Sequence, residues 1–233
     1  MALDRKDLAK KLRLTLVVSQ AEARPRSVFE LAEAAFAGGV SCLQLREKNL
    51  LGREYYERAK GLAEFCKKRG KVFIVNDRLD VAMAAGADGV HLGQGDLPAR
   101  AARKILGPGF LLGVSAGSVG EAQAALADGA DYLGVGAIFL TGSKVEAQAV
   151  REEEIKKIIQ AGAGAGLGAG LRAGAGAGLG AGLVTVAIGG IKPDNAKSVW
   201  ALGFDGLAVI SGLTQSADPE AAARALLAGG PGD

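Results

Sequence analysis

Three features of the sequence predict an α/β protein of the (β/α)8 TIM-barrel class, folded as a single domain over residues 1–233. The first is a repeated phrase, in which a helix-like stretch ends in glycine and a short apolar run follows. It reads Gly86-Ala87-Asp88-Gly89-Val90-His91-Leu92-Gly93, then Gly129-Ala130-Asp131-Tyr132-Leu133-Gly134-Val135-Gly136. It returns as Gly203-Phe204-Asp205-Gly206-Leu207-Ala208-Val209-Ile210, and more loosely as Gly38-Gly39-Val40-Ser41-Cys42-Leu43-Gln44-Leu45. Glycine after a helix supplies a left-handed cap. A short continuous apolar run suits a parallel strand buried on both faces. The second feature is a regular alternation of strand-like and helix-like stretches, the pattern of linked βα units. The third is length, because 233 residues lie near the roughly 250 of one barrel.

The first strand is expected at 14–18, before a helix around 28–37. The second falls at 41–45, followed by a helix over 53–68. The third covers 72–75 and leads to a short helix over 79–85. The fourth is 89–92, and Pro98 suits the first turn of the helix after it, 98–106. The fifth covers 111–114, with a helix near 119–127. The sixth, 132–135, precedes a helix over 152–160, whose Ile155, Ile158 and Ile159 share one face. The seventh is 184–188, with a helix over 193–201. The eighth is 207–210, and a helix over 219–227 closes the chain.

One segment breaks the pattern. Residues 161–171 alternate glycine with alanine and leucine, and 173–183 repeat them unchanged around Arg172. Alternate glycines disfavour a helix by roughly 1 kcal/mol each. Glycine dilution and Arg172 argue against a membrane span. The segment lies between the sixth helix and the seventh strand, which places it at the N-terminal, stability end of the barrel and not at the catalytic end.

Composition narrows the function. Hydrophobic residues at 49% provide a large core, and a net charge of +3 with scattered charges gives no basic tract for nucleic acid. Aromatics at 5% give little for base stacking. Cys42 and Cys66 fit no metal or redox spacing and read as buried free thiols. Residues 1–11 are charged and lack the apolar run of a signal peptide, so a cytoplasmic enzyme is expected. The expected partners are small phosphorylated molecules, with neither nucleic acid nor membrane. Oligomeric state stays open, a homo-oligomer included.

The residues after each strand carry the chemistry of such a barrel. They are Gln44-Leu45-Arg46-Glu47-Lys48, Asn76-Asp77-Arg78, Gly93-Gln94-Gly95-Asp96, Ser115, Thr141-Gly142-Ser143-Lys144, Gly189-Gly190-Ile191 and Ser211-Gly212. Glycines and hydroxyls after the seventh and eighth strands form the usual phosphate site. Asp77 and Asp96 could hold a Mg²⁺ that keeps waters and binds phosphate. Arg46, Lys48 and Lys144 could neutralise further phosphate charge. A leaving diphosphate assisted this way requires no protein nucleophile. Plainer readings exist for the same residues. Arg46-Glu47-Lys48 could be a solvated loop, Asp77 and Asp96 could cap the helices after them, and Gly189-Gly190 could be a simple turn. His91, inside a strand, reads as a core residue more than a catalytic one. Asp88, Asp131 and Asp205 precede their strands and belong to the stability face.

At these residues the chain resembles the thiamine phosphate synthase family along nearly its whole length outside the Gly-Ala segment. The matching phrases are Gln44-Leu45-Arg46-Glu47-Lys48, Asn76-Asp77-Arg78, Gly89-Val90-His91-Leu92-Gly93-Gln94 with Asp96, Gly113-Val114-Ser115, and Ala187-Ile188-Gly189-Gly190-Ile191 with Val209-Ile210-Ser211. The resemblance implies a transferase of thiamine biosynthesis that joins hydroxymethylpyrimidine diphosphate to thiazole phosphate, releasing diphosphate. It implies that Gln44, Arg46, Lys48, Asn76, Ser115 and Lys144 bind the pyrimidine diphosphate, with Lys144 and Ser115 catalytic. It further implies that Asp77 and Asp96 ligate Mg²⁺. Thr141, Ser143, Gly190, Ile210 and Ser211 would hold the thiazole phosphate.

Three positions depart from the family pattern. Leu140-Thr141-Gly142-Ser143-Lys144 stands where Pro-Thr-x-Thr-Lys is usual, Gln94-Gly95-Asp96 replaces Gln-Glu-Asp, and Gly117 occupies a position that often holds histidine. Two other functions compete: a thiazole tautomerase-like isomerase, and an inactive phosphate-binding regulatory barrel. The first needs a proton-transfer group, which Gly117 lacks, and has no need of the Asp77/Asp96 pair. The second rests on the altered 140–144 loop alone.

Overall fold

The computed structural model describes residues 4–140, 150–163 and 182–231. Eight parallel strands close into a barrel in sequence order. They are β1 (Leu14–Val18), β2 (Cys42–Leu45), β3 (Val72–Asn76), β4 (Gly89–Leu92), β5 (Leu111–Ala116), β6 (Tyr132–Val135), β7 (Val184–Ile188) and β8 (Gly206–Val209). The outer helices are α3 (Val28–Ala37), α4 (Gly52–Lys68), α5 (Leu79–Ala85), α6 (Ala99–Leu106), α7 (Val119–Ala127), α8 (Glu152–Gly162), α9 (Ala196–Trp200) and α11 (Pro219–Leu227). Three more helices fall where only loops were expected: α1 (Arg5–Lys11), α2 (Gln20–Ala23) and α10 (Ser211–Thr214). Among the described residues, no helix is long and apolar enough to cross a membrane.

Strand pleating sorts the core into two layers. Alternate strand residues such as Leu16, Leu43, Phe73, Leu133 and Leu207 face outward and pack under the helices. The others, among them Val17, Cys42, Ile74, Val186 and Ala208, fill the lumen. Leu8 of α1 and Leu12, its C-cap, one turn apart, join that lumen cluster and close the N-terminal end of the barrel. Cys42 and Cys66 are free and buried. Burial pushes both thiols up, Cys66 to about 12.

The repeated phrase has a structural reason. Its glycines, Gly86, Gly129 and Gly203, adopt positive φ of 70°, 83° and 92° as the chain turns from helix to strand. The aspartate two residues later reaches sideways to the preceding strand. Asp88 Oδ2 accepts from Phe73 N at 2.8 Å, Asp131 Oδ2 from Leu112 N at 2.7 Å, and Asp205 Oδ2 from Thr185 N at 2.8 Å. Each aspartate's own N–H donates back to the carbonyl of that same residue, at 2.9, 2.8 and 3.0 Å. The looser fourth copy does the same with a hydroxyl: Leu14 N donates to Ser41 Oγ at 3.2 Å, and Ser41 N to Leu14 O at 2.9 Å. The barrel is thus four two-strand units, each closed at its N-terminal end by a two-point contact. Arg103 and Arg5 add ion pairs to Asp131 and Asp205, at 2.6 and 2.8 Å.

Most boundaries move by a residue or two, and two of the shifts have local reasons. The helix expected over 193–201 is only Ala196–Trp200. Asn195 Oδ1 accepts from Lys192 N at 2.8 Å and Asn195 Nδ2 donates to Gly190 O at 3.0 Å, so its side chain organises a turn there. The Gly-Ala segment is shorter than its repeat. Ala161 and Gly162 complete α8, and Leu183 is buried against the core.

Candidate active site

The C-terminal ends of the strands surround one cavity of about 970 Å³. β2 and the turn after it contribute Gln44, Arg46 and Lys48; β3 and its exit contribute Asn76 and Asp77; the β4 loop contributes Gln94 and Asp96. Ser115 comes from β5, and Gly190, Ile210 and Ser211 follow β7 and β8. Every described residue expected at the site therefore lines one space. Thr141, Ser143 and Lys144 lie outside the described residues. Leu140, the last residue before them, is exposed.

The charged tripeptide after β2 divides its labour. Glu47 takes no part in the cavity wall: it pairs with Arg58 and accepts from Gln20 N at 2.9 Å, which pins the turn to α2 and α4. The solvated-loop reading therefore fails for Glu47, and Arg46 and Lys48 on either side of it line the cavity. Arg46 N donates to Val18 O at 2.9 Å, which continues the β1–β2 ladder into the turn. Below, Tyr55 of α4 sends its hydroxyl between Leu45 O and Asn76 O, at 3.0 and 3.1 Å, joining the ends of β2 and β3.

Neither carboxylate caps the helix that follows it. The N-cap of α5 is Arg78 and that of α6 is Pro98, and neither cap has a side-chain hydrogen bond. Asp77 instead turns at φ 63°, the one non-glycine residue with positive φ among the described residues. That backbone costs about 1 kcal/mol for an L-residue, least for Asp and Asn. It is held by Asp77 N donating to His91 O at 2.9 Å. Asp96 Oδ2 accepts from Gly93 N at 2.7 Å. Both carboxylates line the cavity, and Asp77 is pushed up to about 6 by burial and by its neighbour Asp96, with Arg46 and Lys48 opposing. Two converging acids with too little positive charge between them suit a divalent cation. Among the described residues no cluster of three or more His, Cys, Asp or Glu side chains suits a metal. A cation here would complete its shell with water and substrate oxygens, as Mg²⁺ does.

The far side of the cavity is different in character. Val186 and Ile188 of β7, Ala208 of β8, and Ile210 after it give an apolar wall. The Gly189-Gly190 turn does more than reverse the chain. Ile138 N and Phe139 N donate to Ile188 O and Gly189 O at 3.0 and 3.1 Å, so the segment leading to Thr141 is paired to the end of β7. Position 117 has no side chain to offer, and its N–H donates to Glu121 Oε2 at 2.6 Å. Sequence reasoning missed Glu121 as a wall residue and Tyr55 as a brace. It also set His91 in the core, whereas the imidazole lines the cavity and bonds to Ser115 and Tyr132.

A closed parallel barrel with paired acids, cations and glycine turns on its C-terminal rim is the architecture of a (β/α)8 enzyme for phosphorylated small molecules. Comparison with known proteins narrows the class. Residues 14–213 match the family model described as thiamine monophosphate synthase. A thiamine-phosphate synthase of Moorella thermoacetica is 48% identical over 201 residues, covering 86% of this chain and 87% of the relative. One from Coprothermobacter proteolyticus is 42% identical, covering 95% of this chain and 96% of the relative. The solved structure of a thiamine phosphate pyrophosphorylase from Pyrococcus furiosus superposes with TM-score 0.78 at 35% identity, covering 94% of this chain and 95% of that one. A 3-hexulose-6-phosphate synthase, TM-score 0.62 at 18% identity, shares the fold. The chain belongs to the thiamine monophosphate synthase family, and it is a transferase.

Proposed function

We propose that this chain joins hydroxymethylpyrimidine diphosphate to thiazole phosphate at its C-terminal rim, releasing diphosphate and forming thiamine phosphate. One observation carries the reading beyond family membership: a single cavity is charged on its β2–β4 side and apolar with glycine turns on its β7–β8 side. Its volume lies at the upper end of the ~300–1000 Å³ of small-molecule sites, room for two small substrates side by side.

In this reading the bond from the pyrimidine methylene carbon to the diphosphate oxygen breaks first, and the thiazole nitrogen closes on the resulting cation. Neither step asks the protein for a nucleophile. Gln44 and Asn76, both buried amides, orient the pyrimidine. Arg46, Lys48 and Lys144 take up the charge that develops on the leaving diphosphate, where preorganised cations act without reorganising solvent. Asp77 and Asp96 would hold Mg²⁺, which when bound supplies further positive charge against the diphosphate. Gly190 and Ser211 receive the thiazole phosphate at the β7–β8 phosphate position, with Ile210 against the ring; family resemblance adds Thr141 and Ser143 to the phosphate's ligands.

The test is incubation of the purified protein with both phosphorylated substrates, with and without Mg²⁺, and mass detection of thiamine phosphate. Product in the presence of Mg²⁺ and little after chelation is expected. No product with the metal present would overturn the reading and return the chain to a binding role.

A further inference from the structure

On the β4–β6 side of the cavity three side chains form a hydrogen-bonded chain. Tyr132 Oη lies 3.0 Å from His91 Nδ1, and His91 Nε2 lies 3.0 Å from Ser115 Oγ. Strand register explains the meeting. His91, Gly113 and Tyr132 are paired across β4, β5 and β6 at one level, and Ser115 pairs with Gly134 one pleat higher. Both glycines make the room. A Cβ at position 113 would fall 2.1 Å from Tyr132 Cζ, and one at 134 would fall 2.8 Å from His91 Cε1. Glycine inside a strand weakens it and marks close approach, and here the approach is by the two rings of this chain.

The direction of the protons follows from satisfaction of buried groups. Tyr132 is 3% exposed, and His91 Nδ1 is the hydrogen-bond partner its hydroxyl has among the described residues. A buried O–H left undonated costs roughly 1–3 kcal/mol, so Tyr132 donates and Nδ1 accepts. Burial also holds the phenol well above its ordinary pKa, so its proton stays in place. A neutral imidazole that accepts at Nδ1 carries its proton on Nε2. That proton goes to Ser115 Oγ. The serine hydroxyl, already an acceptor from within the protein, has its own proton left for the cavity.

We propose that Tyr132 and His91 are positioning residues that fix Ser115 as a hydrogen-bond donor, aimed at an acceptor atom such as a ring nitrogen of the bound pyrimidine. The ligand's identity rests on the transferase reading above, whereas the polarity of the chain does not. Ser115 thereby presents its proton to an acceptor on the substrate at this point.

His91 is the only histidine in the protein, so the imidazole spectrum of the ¹⁵N-labelled, ligand-free enzyme reports this residue alone. Long-range proton–nitrogen correlation at mildly alkaline pH should show the Nε2–H tautomer. Finding Nδ1–H, or both nitrogens protonated, overturns the proposal, and that result requires no variant to fold. Tyr132→Phe, which keeps the ring that Gly113 accommodates, should shift the population toward Nδ1–H and slow thiamine phosphate formation roughly tenfold. Combined with Ser115→Ala it should slow the reaction no further than Ser115→Ala alone, because the effect travels through Ser115. Independent, multiplying losses would place Tyr132 outside the chain and overturn the assignment. If the wild-type enzyme makes no thiamine phosphate while the Nε2–H tautomer is present, the transferase reading fails and the hydrogen-bond polarity stands.

Discussion

Asp77 shows how much of this site a single residue concentrates. It follows β3, turns with positive φ, meets Asp96 across the loop, and titrates near 6 because burial and its neighbour both disfavour its charge. Its chemistry was legible in the sequence because an acid after a barrel strand is already at the right end of the fold. Its freedom from a capping role was not, since Asp before Leu79 reads equally well as an N-cap until backbone geometry decides. Asp77→Ala and Asp96→Ala should each lower thiamine phosphate formation about 10²–10³-fold, the usual scale for one preorganised electrostatic contact, with melting temperatures near wild type. Rates near wild type in both variants would remove the pair from the reaction. Tyr55 stands at the opposite extreme of legibility. On α4 it is one more apolar position, yet its hydroxyl bridges the carbonyls of Leu45 and Asn76, immediately before Arg46 and Asp77. Tyr55→Phe should cost about 1–3 kcal/mol in urea unfolding, since the one hydroxyl proton shared between the two buried carbonyls is lost. It should also slow turnover, because both β-strand ends it ties carry cavity residues. Unchanged stability would mean that the bridge carries no weight.

Among the elements, the eight strands and their following helices were readable because the same unit recurs, so each copy supports the others. What the sequence hid were pieces too short to show a period. α1 and its C-cap offer only Leu8 and Leu12 as buried apolar residues, and a charged stretch with two leucines reads as a tail until the open barrel end gives them somewhere to go. α2 went unexpected although its cap stands in the sequence: Ser19 and Glu22 form a reciprocal capping box around one turn. The aspartates before β4, β6 and β8 were correctly set on the stability face, but their partners were invisible, because the acceptor reaches across to a neighbouring strand. Those contacts have measurable weight. Asp131→Ala leaves Leu112 N without its acceptor and the mostly buried Arg103 without its counter-charge, though still bonded to the carbonyls of Gly129, Gly107 and Phe110, and should cost about 2–3 kcal/mol. Ser41→Ala, whose hydroxyl makes only longer contacts of 3.2 Å with the backbone of Leu14, should cost about 1 kcal/mol or less. Both Michaelis constants should stay at wild-type values, since these residues sit at the other end of the strands from the cavity. A rise in either constant without loss of stability would show that the N-terminal closure governs the rim.

At the scale of the whole molecule, the barrel keeps stability and chemistry at opposite ends, and the Gly-Ala tract enters and leaves at the stability end. α8 runs to Gly162, and Leu183 N donates to Gly162 O at 2.6 Å, so the two ends of the tract are hydrogen-bonded to each other. Leu183 is buried, and its carbonyl accepts from Arg5 at 3.3 Å, beside the Arg5–Asp205 pair. Residues 161–163 and 182–183 are thus tied into the fold, and their contact brings the two ends of the tract together. The entropy of closing a loop grows slowly, about 0.6 kcal/mol for each doubling of length, so a long tract imposes little on stability and its removal restores little. Replacing residues 164–181 by a short glycine joint should leave turnover and both Michaelis constants at wild-type values, with a melting temperature equal or slightly higher. Cutting further, through Leu183, should instead lower stability, because a buried leucine removed to alanine costs about 2–5 kcal/mol. Steady-state kinetics and thermal unfolding of the two variants separate the cases. Loss of activity in a well-folded variant lacking only 164–181 would mean that the tract acts at the rim, and the division between the two ends of the barrel would not hold for this chain.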